Sequence, residues 1–428
     1  MISNIGLPSG ASYELYSERI VGDTVRYDGN RFERIDGSDR TTMTARVQYD
    51  GKMSIAGGSK PGSEENLIKK AFDMVAYGSP CDVPFVGETE IKPLDLLDKE
   101  TLTSKQMIEK MGAFVEDIRS IDSRLTAGAS LSSSIVGVSL QTSYGFNNKY
   151  SKSGWTCVGH VELVQGDDLL SLYEYKRSLK PDFDLAEMKK IIAQKLEYAK
   201  TVVPMDAGAF PVIFAPSEAG NIINPIVASL NGQAIYRKVS PWTEKLGEVL
   251  LDKRFTLTDE GALDKSWASK PFDLEGTPTK NFALVQNGCL SNILLDRKVA
   301  SKLGKESSGN AGAAGPVANF VNLESGSKTL DELIKSIDYG LLIDGTMGAW
   351  SGNPFAGIVS GTISMGLKIE KGKIVGRVKD CMFTINAFEH FKNHLIDFSI
   401  ERDQTGSAFF SSGLLPYIAL DEVVISAE

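Results

Sequence analysis

The sequence contains little cysteine and histidine, with four and three residues respectively. Cysteine occurs only four times, widely spaced, at Cys81, Cys157, Cys289 and Cys381. This spacing excludes the common zinc-ribbon patterns and is typical of buried thiols in a reducing compartment. There is no apolar run of the roughly 18 residues that a membrane-spanning helix needs, and no basic-then-apolar leader pattern. We therefore expect a cytoplasmic protein that does not act at a membrane.

The sequence also has no excess of positive charge. The formal net charge is −9, whereas proteins dedicated to nucleic acids usually present a basic face. No nucleic-acid partner is predicted. The length of 428 residues and the hydrophobic fraction of 42% are those of a soluble globular protein with two or three domains.

Familiar catalytic motifs are absent as well. The chain has no nucleophile elbow, no phosphate-binding GxxxxGK[ST] loop and no dinucleotide fingerprint. Among the three histidines, His390 and His394 have the spacing of two zinc ligands on one face of the helix predicted at 386–397. Glu389 lies outside this pair rather than inside it, and only Asp397 is near enough to be a third ligand. A polar helix face is the preferred interpretation, so we predict no catalytic residue and no metal ligand.

The residues that are present predict an α+β fold. Asp28-Gly29 and Asp50-Gly51 each separate two alternating runs, which is a strong hairpin signal, and helical periodicity follows at 64–77. Strands and helices alternate again up to residue 205, and strand-like runs predominate after that. We predict antiparallel sheet-plus-helix units followed by a β-rich C-terminal domain, with domains at 1–95, 96–205 and 206–428.

A glycine-rich region within the third predicted domain is the candidate binding site. Asn287-Gly288 predicts a tight hairpin turn, and Gly304 a helix end. The small residues of 309–315 suit the close approach of a ligand or another chain, although a plain surface loop is an equal alternative. Arg237 is either an anchor for a carboxylate or simply solvated. The candidate peptide-binding residues are Arg237, Ser308, Gly309 and Asn310.

Several short motifs occur in a fixed order along the chain. They are Val25–Ile35, Gly232–Lys238, Lys245–Glu248, Pro271–Gly276, Asn287–Leu290, Leu295–Asp296, Lys302–Gly304, Ser308–Asn310 and Gly352–Pro354. In this order and spacing they resemble the TldD/PmbA family over nearly the whole chain. Members of that family are described as modulators of DNA gyrase and as metalloproteases in peptide maturation.

The resemblance implies a division of labour. TldD-type chains hold zinc with an HExxxH helix and a later cysteine, whereas chains of the PmbA branch, also called TldE, lack these ligands and pair with a TldD-type subunit. The HExxxH position falls here on Ile223–Ala228 and the cysteine position on 406–410, and neither contains a suitable ligand. The resemblance thus implies no cofactor in this chain and zinc in a TldD-like partner.

The partner and activity remain open at this stage. The preferred hypothesis is a PmbA/TldE-like subunit that forms a heterodimer with a TldD-like chain and acts on unfolded peptides. One alternative is a homodimeric peptide-binding protein without catalysis. The other is a self-sufficient metallohydrolase that uses His390 and His394.

Overall fold

A computed structural model describes residues 5–166, 168–349, 351–406, 410 and 412–427. The chain divides into two compact units. The first contains Met1–Ala193 and Leu263–Thr279, and the second contains Gln194–Ala262 and Lys280–Glu428. The division falls inside one helix. The three domains predicted at 1–95, 96–205 and 206–428 stay a prediction.

The first unit is built on one antiparallel sheet with the strand order β4-β3-β2-β1-β5-β6-β7. Its strands are β1 (Ser12–Asp28), β2 (Arg31–Tyr49), β3 (Lys52–Gly58), β4 (Ser79–Pro80), β5 (Thr126–Thr142), β6 (Asn147–Gln165) and β7 (Asp168–Ser178). Its helices are α1 (Glu64–Asp73), α2 (Ser104–Arg119) and the greater part of α3 (Leu185–Ala199).

Local turn chemistry and side-chain burial explain this sheet. Gly29 and Asn30 between β1 and β2, and Asp50 and Gly51 between β2 and β3, all have positive φ angles, as tight hairpin turns require. Both predicted hairpins are therefore confirmed. Helix α1 covers one part of the sheet, where Ile68 is fully buried among apolar strand residues.

A hydrogen-bonded cluster of Glu14, Arg46 and Glu275 joins the segment 263–279 to the sheet of the first unit. Arg46 on β2 donates from Nε to Glu14 on β1 at 2.6 Å and from Nη1 to Glu275 at 3.3 Å. Glu14 is only 1% exposed. Burial raises the pKa of its carboxyl group to about 7, although Arg46 acts in the opposite direction.

This cluster predicts a pH-dependent stability. Folded Glu14 holds its proton up to about pH 7, whereas the unfolded chain releases it near 4.5. The folded state therefore binds more protons between these values, and its stability falls as the pH rises through that window. We expect a fall on the order of 1–3 kcal/mol between about pH 5 and about pH 8, and a flatter profile in Glu14→Gln.

Urea unfolding of both proteins at the two pH values measures this effect. Glu109→Gln is the control, because Glu109 is exposed on α2 and should leave the slope unchanged. Equal slopes in the wild type and Glu14→Gln would rule out Glu14 as the source.

The second unit contains two sheets, a mixed one of 11 strands and a separate one of two strands. Its strands are β8 (Gly208–Phe214), β9 (Leu257–Glu260), β10 (Asn281–Gln286), β11 (Cys289–Leu290), β12 (Ala311–Gly312), β13 (Gly315–Pro316), β14 (Val321–Leu323), β15 (Tyr339–Met347), β16 (Ile358–Glu370), β17 (Lys373–Val378), β18 (Cys381–Asn386), β19 (Leu395–Thr405) and β20 (Gly413–Ala427). Its helices are α4 (Pro216–Ser229), α5 (Gly232–Tyr236), α6 (Arg297–Lys302), α7 (Leu330–Lys335) and α8 (Ala387–Asn393).

Five strands of the second unit close on themselves. They follow the order β20-β18-β16-β15-β8, and β8 also pairs with β20. Four further strands extend from this ring in the order β20-β14-β9-β10-β11. Strand β17 pairs with β16, β19 pairs with β20, and β12 and β13 pair with each other as a separate sheet. Helix α4 packs against β15, β19 and β20. Most of its residues are buried, so it is the central helix of this unit's core.

The α+β fold predicted from the sequence is confirmed, with a β-rich second unit. The predicted turn between β10 and β11 is also confirmed, since Asn287 and Gly288 both have positive φ angles. Within the described residues, no helix is long and apolar enough to cross a membrane.

Candidate functional site

The second unit contains a pocket with a volume of about 410 Å³. Leu246 and three stretches of the segment 280–308 form its walls. Its lining residues are Leu246, Lys280, Asn281, Phe282, Ser291, Asn292, Ile293, Leu295, Lys305, Glu306, Ser307 and Ser308. The volume lies within the range of small-ligand sites, roughly 300–1,000 Å³. Apolar side chains stand beside amides, hydroxyls and charges, so the pocket suits an amphipathic ligand.

One wall of the pocket is the outer edge of β10. Within β10, Val285 and Gln286, near the turn, are the residues that pair with β11. The carbonyl oxygen of Ala283 instead accepts a hydrogen bond from the Asn292 side-chain amide at 2.8 Å. The pairing of β11 therefore does not extend to Asn281 and Phe282, which line the pocket. Such an edge can accept an added strand from a peptide.

A buried carboxylate fixes the segment behind the opposite wall. Asp259 on β9 is 0% exposed. Its Oδ1 accepts hydrogen bonds from the backbone N–H groups of Asn319 and Phe320, both at 2.8 Å. Its Oδ2 accepts from the side-chain amides of Asn310 at 2.6 Å and Asn319 at 3.1 Å. Four donors from a distant loop thus converge on one carboxylate.

The network continues from Asp259 to the pocket itself. The Ser308 hydroxyl donates to the side-chain oxygen of Asn310 at 2.6 Å and accepts from the backbone N–H of Leu295 at 2.8 Å. Ser308 and Leu295 both line the pocket. Asp259 therefore fixes the position of the pocket wall that contains Ser308 and Leu295.

The structure places the predicted peptide-binding residues in three different settings. Ser308 lines the pocket, whereas Gly309 and Asn310 are buried behind it and belong to the Asp259 network. Arg237 is exposed at the C-terminal end of α5 and is not among the lining residues. A role in peptide binding stays a prediction for all four. Lys280, Asn292 and Lys305 were missed from the sequence because only the fold brings them together.

The histidine pair does not have the geometry of a metal site. His390 is buried, and both of its ring nitrogens face backbone carbonyl oxygens, Nδ1 that of Asn386 at 2.8 Å and Nε2 that of Glu422 at 3.3 Å. A metal ligand needs a nitrogen lone pair directed at the ion. Nε2 of His394 lies 4.0 Å from Glu389.

Asp397, which is near enough in the sequence to be a third metal ligand, has another role. The helix expected at 386–397 ends at Asn393, and Asp397 lies in β19, where its carboxylate is 3.3 Å from the Lys328 ammonium. Among the residues that the structure describes, no group of three His, Cys, Asp or Glu side chains is placed to hold a metal ion.

The position of the family's zinc helix lies within α4. Residues 223–228 are all buried, and they present aliphatic side chains, a proline and one amide. These residues do not fit zinc, which needs imidazole, thiolate or carboxylate ligands. Pro225 lies inside the helix. In the cysteine position at 406–410, residues 407–409 lie outside the described residues.

Residues 207–427 match the family model described as the PmbA/TldA metallopeptidase C-terminal domain. The chain belongs to this family, the TldD/PmbA family.

Relatives from both branches of the family are similar to this chain. The metalloprotease PmbA homolog of Haemophilus influenzae is 27% identical over 414 residues, covering 90% of this chain and 87% of that protein. The metalloprotease TldD homolog of Buchnera aphidicola is 28% identical over 181 residues, covering 41% and 37%. The crystal structure of TldE from Thermococcus kodakarensis has the same fold, with a TM-score of 0.87, 22% identity and 97% of each chain covered.

Proposed function

We propose that this chain is a PmbA/TldE-like subunit of a metalloprotease system, and that it helps to hold an unfolded peptide while a TldD-like partner supplies the zinc. The chain itself binds no zinc and performs no hydrolysis. The proposed partner is a different chain of the same family.

This proposal rests on one observation, which is the amino-acid composition of residues 223–228 in α4. At the position where the family's TldD-type members have their HExxxH motif, this helix has no histidine and no glutamate. Its side chains pack into the core of the second unit. A zinc site there would need new ligands as well as a new path to solvent, so substitution of one residue would not restore it.

The pocket beside β10 supports the peptide-holding part of the proposal. The open strand edge at Asn281 and Phe282 offers backbone hydrogen bonds, which bind any extended peptide with little regard to its sequence. Apolar lining residues such as Phe282 and Ile293 offer contacts to side chains that a folded protein would bury.

A reconstitution assay tests the proposal. The purified chain, a TldD-like chain with an intact HExxxH motif, and a mixture of the two are each given an unfolded, fluorogenic peptide. We expect no hydrolysis by this chain alone and at least about tenfold faster hydrolysis by the mixture than by the TldD-like chain, because correct substrate positioning is worth several kcal/mol. The control replaces the HExxxH glutamate of the TldD-like chain by glutamine.

The other two hypotheses give different results in the same assay. Hydrolysis by this chain alone, inhibited by a chelator, would contradict the proposal and favour a self-sufficient hydrolase. Peptide binding by a homodimer without any effect on the TldD-like chain would favour a binding protein without catalysis.

A further inference from the structure

The charges at the pocket define the class of peptide that it accepts. Lys280 and Lys305 contribute two positive charges and Glu306 one negative charge, which leaves a net charge of +1 on a chain whose total is −9. Within the described residues, neither lysine ammonium forms a hydrogen bond or an ion pair. Both ammonium groups remain available to an anionic ligand.

The neutral polar groups of the pocket are already engaged within the protein. The Ser307 hydroxyl donates to the carbonyl oxygen of Leu295 at 3.1 Å, and the Ser291 hydroxyl to that of Cys289 at 3.2 Å. The Asn292 amide donates to Ala283. The lysines are therefore the charged side-chain donors that a ligand can reach without breaking an internal hydrogen bond.

The apolar part of the pocket adds a second requirement. Phe282 is half-buried and offers part of its ring to one apolar group, whereas Ile293 and Leu295 also line the pocket but add little area, because they are only 5% and 4% exposed. The adjacent edge of β10 favours a ligand with an extended backbone. An apolar side chain, an extended backbone and an anionic group are all present in the end of a peptide.

We propose that this pocket binds a peptide carboxylate through Lys280 and Lys305, with a neighbouring apolar side chain on Phe282, Ile293 and Leu295 and the backbone along the free edge of β10. This inference rests on the proposed function, because it specifies which unfolded peptides the subunit holds. The carboxylate is that of the chain end or of an acidic side chain near it.

Three versions of one unstructured, fluorescently labelled peptide test the proposal by fluorescence anisotropy with the full chain. The first ends in leucine with a free carboxylate, the second is its C-terminal amide, and the third is the amide with a glutamate before the leucine. We expect the free acid to bind about threefold to tenfold more tightly than the amide, with the difference reduced in about 0.5 M salt. Tight binding of the third peptide would identify any nearby carboxylate as sufficient, and weak binding would restrict recognition to the chain end.

The double variant Lys280→Gln/Lys305→Gln should lose the preference for the free acid and bind all three peptides as the wild type binds the amide. Lys373→Gln is the matched control, because Lys373 is exposed on β17 of the same unit and does not line the pocket. Both variants alter exposed side chains, and an unchanged unfolding curve verifies their folding.

Three results would overturn the pocket assignment. If the wild type binds acid and amide equally, or if the double variant keeps the preference, the carboxylate does not bind at these lysines, while the subunit role in the reconstitution assay is unaffected. If none of the peptides binds, the assignment also fails, and only the hydrolysis by the mixture decides the subunit role.

Discussion

Asp259→Ala should lower the free energy of unfolding of the second unit by about 3–5 kcal/mol, the range for removing one partner of a buried charged network. The substitution leaves the backbone N–H groups of Asn319 and Phe320 and the side-chain amides of Asn310 and Asn319 without their shared acceptor. No water can readily replace the carboxylate at a site that is 0% exposed. The effect is measured as the shift of the urea midpoint of the second unit.

Two variants serve as controls for Asp259→Ala. Asp259→Asn keeps the side-chain size but removes the charge and one acceptor oxygen, so we expect a smaller loss of stability. Asp331→Ala removes an exposed aspartate on α7 that pairs only with Lys335, and it should change stability by less than about 0.5 kcal/mol. A loss below about 1 kcal/mol in Asp259→Ala would contradict the role assigned to this carboxylate.

The same substitution should also weaken peptide binding in the pocket. Asp259 acts through Asn310 and Ser308 on the wall that contains Leu295, and it does not line the pocket itself. We expect binding of free acid and amide to weaken together in Asp259→Ala, because the shape of the wall changes and not its charge. A selective loss of the preference for the acid would assign the effect to charge instead.

Features that depend on neighbouring residues could be predicted from the sequence. The Asn287-Gly288 turn follows from the ease with which these two residues adopt positive φ angles, and Gly304, predicted to end a helix, has a φ of +63° directly after α6 and its C-cap Leu303. The α+β class follows from hairpin signals and helical periodicity, which are local as well.

Features set by distant contacts could not be predicted. The composition of 309–315 indicates a flexible loop, but Asn310 is fixed by Asp259, about fifty residues earlier, and the short β12–β13 hairpin follows it. The helix expected at 386–397 stops early because Leu395 pairs with Leu420 on β20. In both cases tertiary pairing outweighs the local preference of the sequence.

The second prediction with a large expected effect is that the purified chain contains no bound zinc. A protein zinc site needs three or four imidazole, thiolate or carboxylate ligands around one point. The apolar residues 223–228 of α4 provide none, and the ring nitrogens of His390 face backbone carbonyl oxygens. A TldD-like chain purified in the same way, with its HExxxH motif intact, is the positive control for the loss of metal during handling.

Elemental analysis of the purified, mildly dialysed chain tests the zinc-free subunit proposal most directly. The proposal predicts less than about a tenth of an equivalent of zinc, because a structural or catalytic zinc site would retain its ion under these conditions. A content near one equivalent would contradict it. In that event, loss of the zinc in His390→Ala and His394→Ala would place the site on α8 and establish this chain as a metalloprotein.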